Sequence, residues 1–254
     1  MFGFWKKKKP SGSHGSHFSA CFPEEGLAQM MVKLSVNKPD KSEELLVNLP
    51  DFKNAKLIVD SKIIDESLLV KVLIVNGTIY TAYPINRNFV KLKDCKNPKV
   101  NEWQNELEGW VNIHAGPATL EFFAVDYYKN KDRYKNSKQL DISFSGIAYS
   151  ISKSKGEEFD SKYGKIKTDK MCCLIPVDFK EENAFPDDYF FRGEVLDIKT
   201  DKVDGNSFFV KVINAEKELV FSIWIRCSSD GIKDKIKKGD YVSGRLWLQG
   251  TLVD

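Results

Sequence analysis

The last quarter of the chain decides the fold, because four segments rich in β-branched and aromatic residues follow one another there. They read FFRGEVLDI (residues 190–198), SFFVKVIN (207–214), ELVFSIWIRC (218–227) and DYVSGRLWLQGTL (240–252). Segments of this length and composition are typical of β-strands. The lysine-rich SSDGIKDKIKKG (228–239) separates the last two and indicates a polar connection. The sequence here predicts an antiparallel β unit.

A similar series lies upstream. It begins with LEGWVNI (107–113) and TLEFFAVDYY (119–128), continues through the lysine-rich KNKDRYKNSKQ (129–139), and ends with LDISFSGIAYSI (140–151). Like the later series, it consists of strand-like segments interrupted by one lysine-rich connection. The chain therefore contains an internal repeat.

The two series share two short motifs. Gly-x-Val stands near the start of each, at Gly109 and Gly193, and Ser-Gly precedes an alternating strand in each, at Gly146 and Gly244. The order of strands and connection resembles an OB-fold, a small five-stranded Greek-key barrel whose middle connection often carries a short helix. Glycine near the end of the first strand also suits the bend at a barrel corner.

The resemblance covers about residues 107–253 and departs from the OB pattern in one respect, since the second series ends one strand short. The segment MCCLIPVDF (171–179) could supply that strand and would give a permuted or shared sheet. We expect a mainly β protein, α+β overall, with two OB-like barrel units in tandem behind a small α+β region. Generic β-barrel or sandwich domains are the alternative.

Composition suggests four parts of the chain. Residues 1–22 combine aromatic residues and lysines with a Ser-Gly-His stretch and predict a flexible tail. A small α+β region follows at 23–106, either as a sheet of its own or as opening strands of the first barrel. The first OB-like unit is expected at 107–170 and the second at 171–254.

Two helical patterns precede the strand-like segments. Four apolar residues at helical spacing predict an amphipathic helix at about residues 24–36. A second short helix is expected after Asp40, because Asp40 can cap it and Glu43 stands three residues further on.

Strand-like runs begin at Lys56. Asn76 and Gly77 join two such runs, and Asn-Gly between strands is a strong hairpin signal. The polar segment 91–105, which includes Pro98, is expected to be a connection.

Charge and cysteine content bound the function. The formal net charge is +3, and the four lysines at residues 6–9 account for all of the positive excess. A folded body without a basic surplus weakens a nucleic-acid argument that rests on charge alone. Five cysteines without regular spacing indicate a reduced, cytoplasmic setting. No apolar run reaches the roughly 20 residues that a spanning helix needs.

Catalytic and metal motifs are weak. His14, His17 and Cys21 have the chemistry of zinc ligands, but a tetrahedral site needs further ligands on a scaffold. His114 is the histidine that a nucleophile pair would have to use, yet no Gly-x-Ser-x-Gly occurs, and neither does a Gly-Lys-Ser or Gly-Lys-Thr phosphate loop. We therefore expect no metal and no cofactor, and a hydrolase of unrecognised type remains the third alternative.

Aromatic residues on the strands are the better candidates for a site. Side chains alternate between the two faces of a strand, so some rings point outward and can contact a ligand. Arginine beside such rings can bind either a protein or a nucleic acid. The predicted ligand-binding residues are Tyr127, Tyr128, Trp224, Arg226, Arg245 and Trp247.

The N-terminal tail carries a separate hypothesis. Rings next to a cationic cluster can hold a protein weakly on an anionic bilayer, although a disordered solubilising start is the plainer interpretation. The residues concerned are Phe2, Phe4, Trp5, Lys6, Lys7, Lys8 and Lys9.

The sequence thus predicts a non-enzymatic binding or adaptor protein that uses the faces of OB-like barrels. A protein partner is the first expectation, because outward aromatics among balanced charges suit an interface with an apolar centre and a polar rim. A single-stranded nucleic acid is the second, because bases stack on exposed rings.

Overall fold

The computed structural model describes most of the chain, and the protein is mainly β over this part. The described residues are 10, 13–23, 38–154, 158–161, 164–167, 172–177, 185–202, 204–214 and 219–253. Nearly all of the strands fall into a four-stranded sheet and a nine-stranded sheet. Neither described helix is long and apolar enough to cross a bilayer.

The four-stranded sheet, here called sheet one, is formed by β1 (Lys41–Leu49), β2 (Phe52–Ile63), β3 (Leu68–Val75) and β4 (Thr78–Asn86). The strands are antiparallel and stand in chain order. The turn between β3 and β4 has φ of +48° at Asn76 and +83° at Gly77, as a two-residue hairpin of this type requires. The predicted hairpin is confirmed, and this region forms a sheet of its own.

The expectation of a helix after Asp40 is wrong, because that segment is β1. Along β1 the inner residues are more buried than their neighbours, and Leu45 pairs with Leu57 of β2. Asp40 caps no helix. Its carboxylate accepts a hydrogen bond of 2.8 Å from the amide of Ile63, which joins the start of β1 to the end of β2. The period of two in the apolar residues outweighs the local capping pattern.

The remaining elements follow in chain order. Helix α1 precedes sheet one, and helix α2 lies in the first lysine-rich connection. Their bounds are α1 (Gly15–Cys21), β5 (Val90–Glu102), β6 (Gly109–Ala115), β7 (Ala118–Ala124), α2 (Tyr127–Asn136), β8 (Gln139–Lys153), β9 (Glu158–Ser161), β10 (Gly164–Lys167), β11 (Cys173–Pro176), β12 (Asp188–Thr200), β13 (Asn206–Asn214), β14 (Leu219–Cys227), a 3₁₀ turn (Ser229–Gly231) and β15 (Tyr241–Leu252).

The nine-stranded sheet closes on itself twice. Ring one runs β5, β6, β7, β15, β8 and back to β5. Ring two runs β12, β13, β14, β8, β15 and back to β12. In each ring the third strand pairs in parallel with the strand that closes it, and the other pairings are antiparallel. The fold is therefore barrel-like, and the two rings share the β8–β15 pair.

The rings share two strands, β8 and β15. Strand β8 is the fourth strand of ring one and closes ring two, while β15 is the fourth strand of ring two and closes ring one. The strand that the second series lacks thus comes from the first series rather than from 171–179, of which Cys173–Pro176 pairs only with the outer side of β12. Neither 107–170 nor 171–254 contains a complete ring. Two separate OB-like units in tandem are not confirmed.

The expectation of a polar connection at 91–105 is wrong, because most of it is β5, the first strand of ring one. Only some of its residues face the core, among them the fully buried Cys95, so its sequence looks polar. The two sequence series therefore do not align strand by strand in the structure. Gly109 opens the second strand of ring one, whereas Gly193 lies in the first strand of ring two. A Cβ at Gly193 would lie 2.2 Å from the carbonyl oxygen of Lys211, so this bend requires glycine.

One apolar core fills both rings, and a second lies between ring one and sheet one. Helix α1 contributes Ala20 and Cys21 to the second core, while Phe18 covers Val70 and Val72 on the other side of β3. The segment Gly15–Cys21 thus differs from the flexible tail expected there, since burial of its apolar residues holds it in place. The membrane-surface residues at 2–9 and the helix expected at 24–36 lie outside the described residues.

Candidate ligand-binding face of ring two

Four of the six predicted site residues are buried. Tyr127 and Tyr128 lie in the first turn of α2 rather than on a strand, and the hydroxyl of Tyr127 donates to a carboxylate oxygen of Glu102 at 3.0 Å. Burial raises the pKa of both phenols above the ordinary value. Both rings pack inside the protein and present no surface to a ligand.

Trp247 and Arg226 have internal partners. Trp247 is fully buried, donates its indole N–H to Asp187 at 2.5 Å, and stacks on the ring of His17 with centroids 3.7 Å apart. Arg226 is 1% exposed and lies 3.4 Å from a carboxylate oxygen of Asp201. The contacts of both residues lie inside the protein, so neither presents a surface to a ligand.

Arg245 and Trp224 reach the surface. Arg245 keeps a quarter of its side chain exposed, but its guanidinium pairs with Asp188 at 2.8 Å and lies over the ring of Tyr149. Trp224 is half-buried and stands on the outer face of β14. The structure therefore does not bring the six predicted residues together into one site.

Trp224 has a partner that the sequence interpretation missed. Phe209 on β13 pairs directly with Trp224, and the two rings stack with centroids 5.0 Å apart at 27°. The ammonium of Lys199 on β12 lies 4.2 Å from the centre of the Trp224 ring. We call Phe209 and Trp224 the open pair. The dipeptide Phe208-Phe209 could have indicated Phe209 from the sequence, since one of two adjacent side chains on a strand must point outward.

Strict alternation produces the open pair. On β13 the side chains of Phe208, Val210 and Val212 enter the core, so Phe209 and Lys211 face outward. On β14 the same pattern buries Ile223 and Ile225 and leaves Trp224 outside. The two rings meet because they are directly opposite across the antiparallel pair.

The outer face of ring two has balanced charge. The strand register puts Lys211 beside Glu194, and Phe209 beside Asp197, with Lys199 one row further along. Two lysines and two carboxylates therefore surround the open pair. The face is not a cationic groove of the kind that tracks a phosphate backbone by charge alone.

A cleft of about 160 Å³ adjoins the open pair, at the loop that joins β12 to β13. Lys199 belongs to both features, because it lines the cleft and covers Trp224. An exposed ion pair of 2.5 Å between Lys202 and Glu66 lies at the cleft. The residues that line it are Glu66, Ser67, Asn88, Lys199, Thr200, Asp201 and Lys202.

Ring one carries the same kind of aromatic pair on its own second and third strands. Trp110 on β6 pairs directly with Phe123 on β7, and we call these two residues the covered pair. Both belong to the core that ring one shares with sheet one and α1. The centroid of the Phe123 ring lies 4.9 Å from that of His14 and 5.0 Å from that of Tyr83. The covered pair is buried, so it offers no ligand surface.

Comparison of the chain with protein-family models, with curated proteins and with solved structures finds no match.

Proposed function

We propose that each ring is an OB-like unit and that the two units have exchanged their closing strands. Each ring has five strands, and its first strand pairs with its second and its fourth. Helix α2 joins the third and fourth strands of ring one, and a 3₁₀ turn stands at the same point of ring two. These features agree with a small Greek-key barrel of the OB type.

We further propose that the protein is a non-enzymatic binding protein whose ring two takes a single-stranded nucleic acid. The open pair carries this proposal. Phe209 and Trp224 stand on the second and third strands of ring two, and the corresponding strands are where OB-folds bind oligonucleotides. A base that stacks on such a ring contributes about 1–3 kcal/mol.

Stacking rather than charge supplies the affinity in this proposal. Lys199 and Lys211 stand on the same face as the open pair and supply ammonium groups for phosphates, but Glu194 and Asp197 share that face. A base entering over Trp224 displaces the ammonium of Lys199 from the ring, and that ammonium is then free to pair with a phosphate. Binding of this kind tolerates many sequences, because every base has a π-face.

Fluorescence anisotropy of a labelled 12-nucleotide single strand tests the proposal on the full-length protein. We expect Trp224→Ala to weaken binding by about 5- to 150-fold, the equivalent of one stacked base. Tyr80→Ala is the matched control, since Tyr80 is an exposed ring on sheet one and its removal should leave the affinity unchanged. Equal affinities of wild type and Trp224→Ala would refute the proposal.

A protein partner is the second candidate, and exposed apolar residues on sheet one favour it. Leu46 on β1 is 75% exposed and Ile79 on β4 is 42% exposed. Ile79 pairs with the half-buried Ile74 of β3, which pairs in turn with the half-buried Ile58 of β2. Apolar side chains gathered on one face are typical of a protein interface. The sequence alone favours a protein partner over a nucleic acid. The open pair is the reason that we place the nucleic acid first.

The two candidates use different faces, so substitutions separate them. Leu46→Lys should abolish co-purification of a protein partner from a cell extract and leave oligonucleotide binding intact. Lys56→Gln changes the residue that pairs with Leu46 without removing apolar surface, so it should leave both properties unchanged. A partner retained equally by Leu46→Lys would remove the support for the second candidate.

A further inference from the structure

A second cleft, of about 190 Å³, lies where sheet one meets ring one. Strands β3 and β4 supply one side of it, and the segment that joins β7 to α2 supplies another, together with the end of β15. An apolar cavity of roughly 150 Å³ is large enough for a molecule the size of benzene, so this cleft has room for a small ligand. The apolar residues of its lining are Leu69, Ile85, Phe89, Val125 and Leu252.

Lys71 of β3 brings a primary amine to this cleft. Its side chain lines the cleft and is half-buried. Its Nζ donates to the backbone carbonyl of Val125 at 3.1 Å and to the hydroxyl of Tyr128 at 3.3 Å, and it lies 4.9 Å from the centre of the Tyr128 ring. All of these contacts are with uncharged groups. Lys129, the other lysine of the lining, differs in this respect, because its ammonium lies 4.0 Å from a carboxylate oxygen of Glu43.

The carboxylate of the lining, Asp126, is bonded to other groups. One of its oxygens accepts a hydrogen bond of 2.7 Å from the hydroxyl of Tyr134. The other accepts from the side-chain amide of Asn130 at 2.7 Å and from the backbone amide of Leu252 at 3.1 Å. Asp126 therefore acts on the ammonium of Lys71 through space rather than as a direct partner.

These surroundings favour the neutral form of the Lys71 amine, since burial penalises an ammonium whose hydrogen-bond partners are uncharged. Burial lowers the pKa of Lys71 to about 8. The charges of Lys129 and Lys41 act in the same direction, and those of Asp126 and Glu43 oppose it. The neutral amine is the nucleophilic form, and an ordinary lysine, with a pKa of about 10.4, holds far less of it near neutral pH.

We propose that Lys71 is a covalent site for a small aldehyde, which it takes up as an imine. The lone pair of the neutral nitrogen adds to the carbonyl carbon and gives a carbinolamine. The C=N bond then forms as the former carbonyl oxygen leaves, and both amine protons depart with it as one molecule of water. The step consumes no oxidant or reductant. Because Lys71 stands on sheet one, this site does not depend on a strand bound at the open pair.

Competitive labelling of the full-length wild-type protein tests the proposal. Butanal at pH 7.5 forms imines that sodium cyanoborohydride reduces to butyl-lysines, and mass spectrometry of the peptides gives the labelling rate at each lysine. We expect Lys71 to react about tenfold faster than Lys129, because more of its amine is neutral. Lys129 is the matched control, since it lines the same cleft beside a carboxylate. Lys235, which is exposed in the lysine-rich connection of ring two, is a second reference.

Two further measurements tie the reaction to the cleft. Unfolding in guanidinium chloride should remove the preference for Lys71, because it removes the burial that keeps the amine neutral. Lys71→Arg should lose the rapidly formed adduct and leave the labelling of Lys129 and Lys235 unchanged. Labelling of Lys71 no faster than that of Lys129 would overturn the proposal. A preference that survives unfolding, or a rapid adduct that persists in Lys71→Arg, would overturn it as well.

Discussion

Rings one and two carry a cross-strand aromatic pair in the same place, on the outer face of their second and third strands. In ring one the pair is Trp110 and Phe123, and sheet one and α1 bury it. In ring two the pair is Phe209 and Trp224, and it stays at the surface beside a polar cleft. The same sheet position thus lies in a core in one ring and at the surface in the other. What lies over a strand pair, rather than the pair itself, decides which role it has.

The largest expected difference between the two pairs is in stability. Phe123→Ala should lower the free energy of unfolding by about 3–5 kcal/mol, since Phe123 is fully buried and its loss leaves a cavity. Phe209→Ala should cost about 1 kcal/mol, because a half-buried ring loses only part of its transfer free energy. Urea denaturation of both variants measures the contrast. Similar losses would mean that the open pair is as structural as the covered one.

Acid should destabilise the packing of α1 against ring one. His17 of α1 is buried, and its burial, helped by the nearby charges of His14 and Arg245, holds its pKa well below the ordinary value. The folded state therefore resists protonation of His17. Its contribution to stability is present above about pH 6.5 and is lost as the pH falls below that value, by at most about 1.4 kcal/mol per pH unit.

Asp187 acts in the opposite direction, because burial and the neighbouring Asp188 raise its pKa, so that acid increases its contribution to the free energy of unfolding. The variant His17→Gln separates the two effects, since it removes only the histidine. The wild type should lose more unfolding free energy than His17→Gln between pH 7 and pH 5.5, as urea denaturation at each pH measures. Parallel curves for the two proteins would show that His17 does not titrate in this range.

The smallest expected effect is on the salt dependence of binding. Two phosphates, paired with Lys199 and Lys211, should give a slope of about −1.4 for the logarithm of the association constant against that of salt concentration. Lys211→Ala should reduce the slope by about 0.7. A slope of −4 or steeper in the wild type would require a cationic site elsewhere on the chain.

Local patterns in the sequence predict much of this fold. The Asn76-Gly77 hairpin, the strands of both series and the outward position of Trp224 follow from turn chemistry and from the period of two. Strand β5 was missed because half of its residues face solvent and read as a polar loop. The sharing of β8 and β15 by both rings could not be predicted, since no local pattern says which distant strands pair.

The candidate site was predicted only in part, for a related reason. Alternation tells which residues of a strand share a face, but it does not tell what covers that face. Trp247 is fully buried because His17 of α1 stacks on it, and Arg226 is buried because Asp65, in the turn between β2 and β3, lies against it. Trp224 stays at the surface because the described part of sheet one leaves the middle of β14 uncovered. Such contacts between distant segments become visible only in three dimensions.

Ultraviolet crosslinking of the protein to a single-stranded 12-nucleotide RNA, with mass spectrometry of the crosslinked peptides, tests the central claim most directly. The claim that the open pair binds a single strand while the covered pair is structural predicts crosslinks in β13 and β14, at Phe209 and Trp224, and none at Trp110 or Phe123. Crosslinks confined to sheet one, to ring one or to the N-terminal lysines would contradict it.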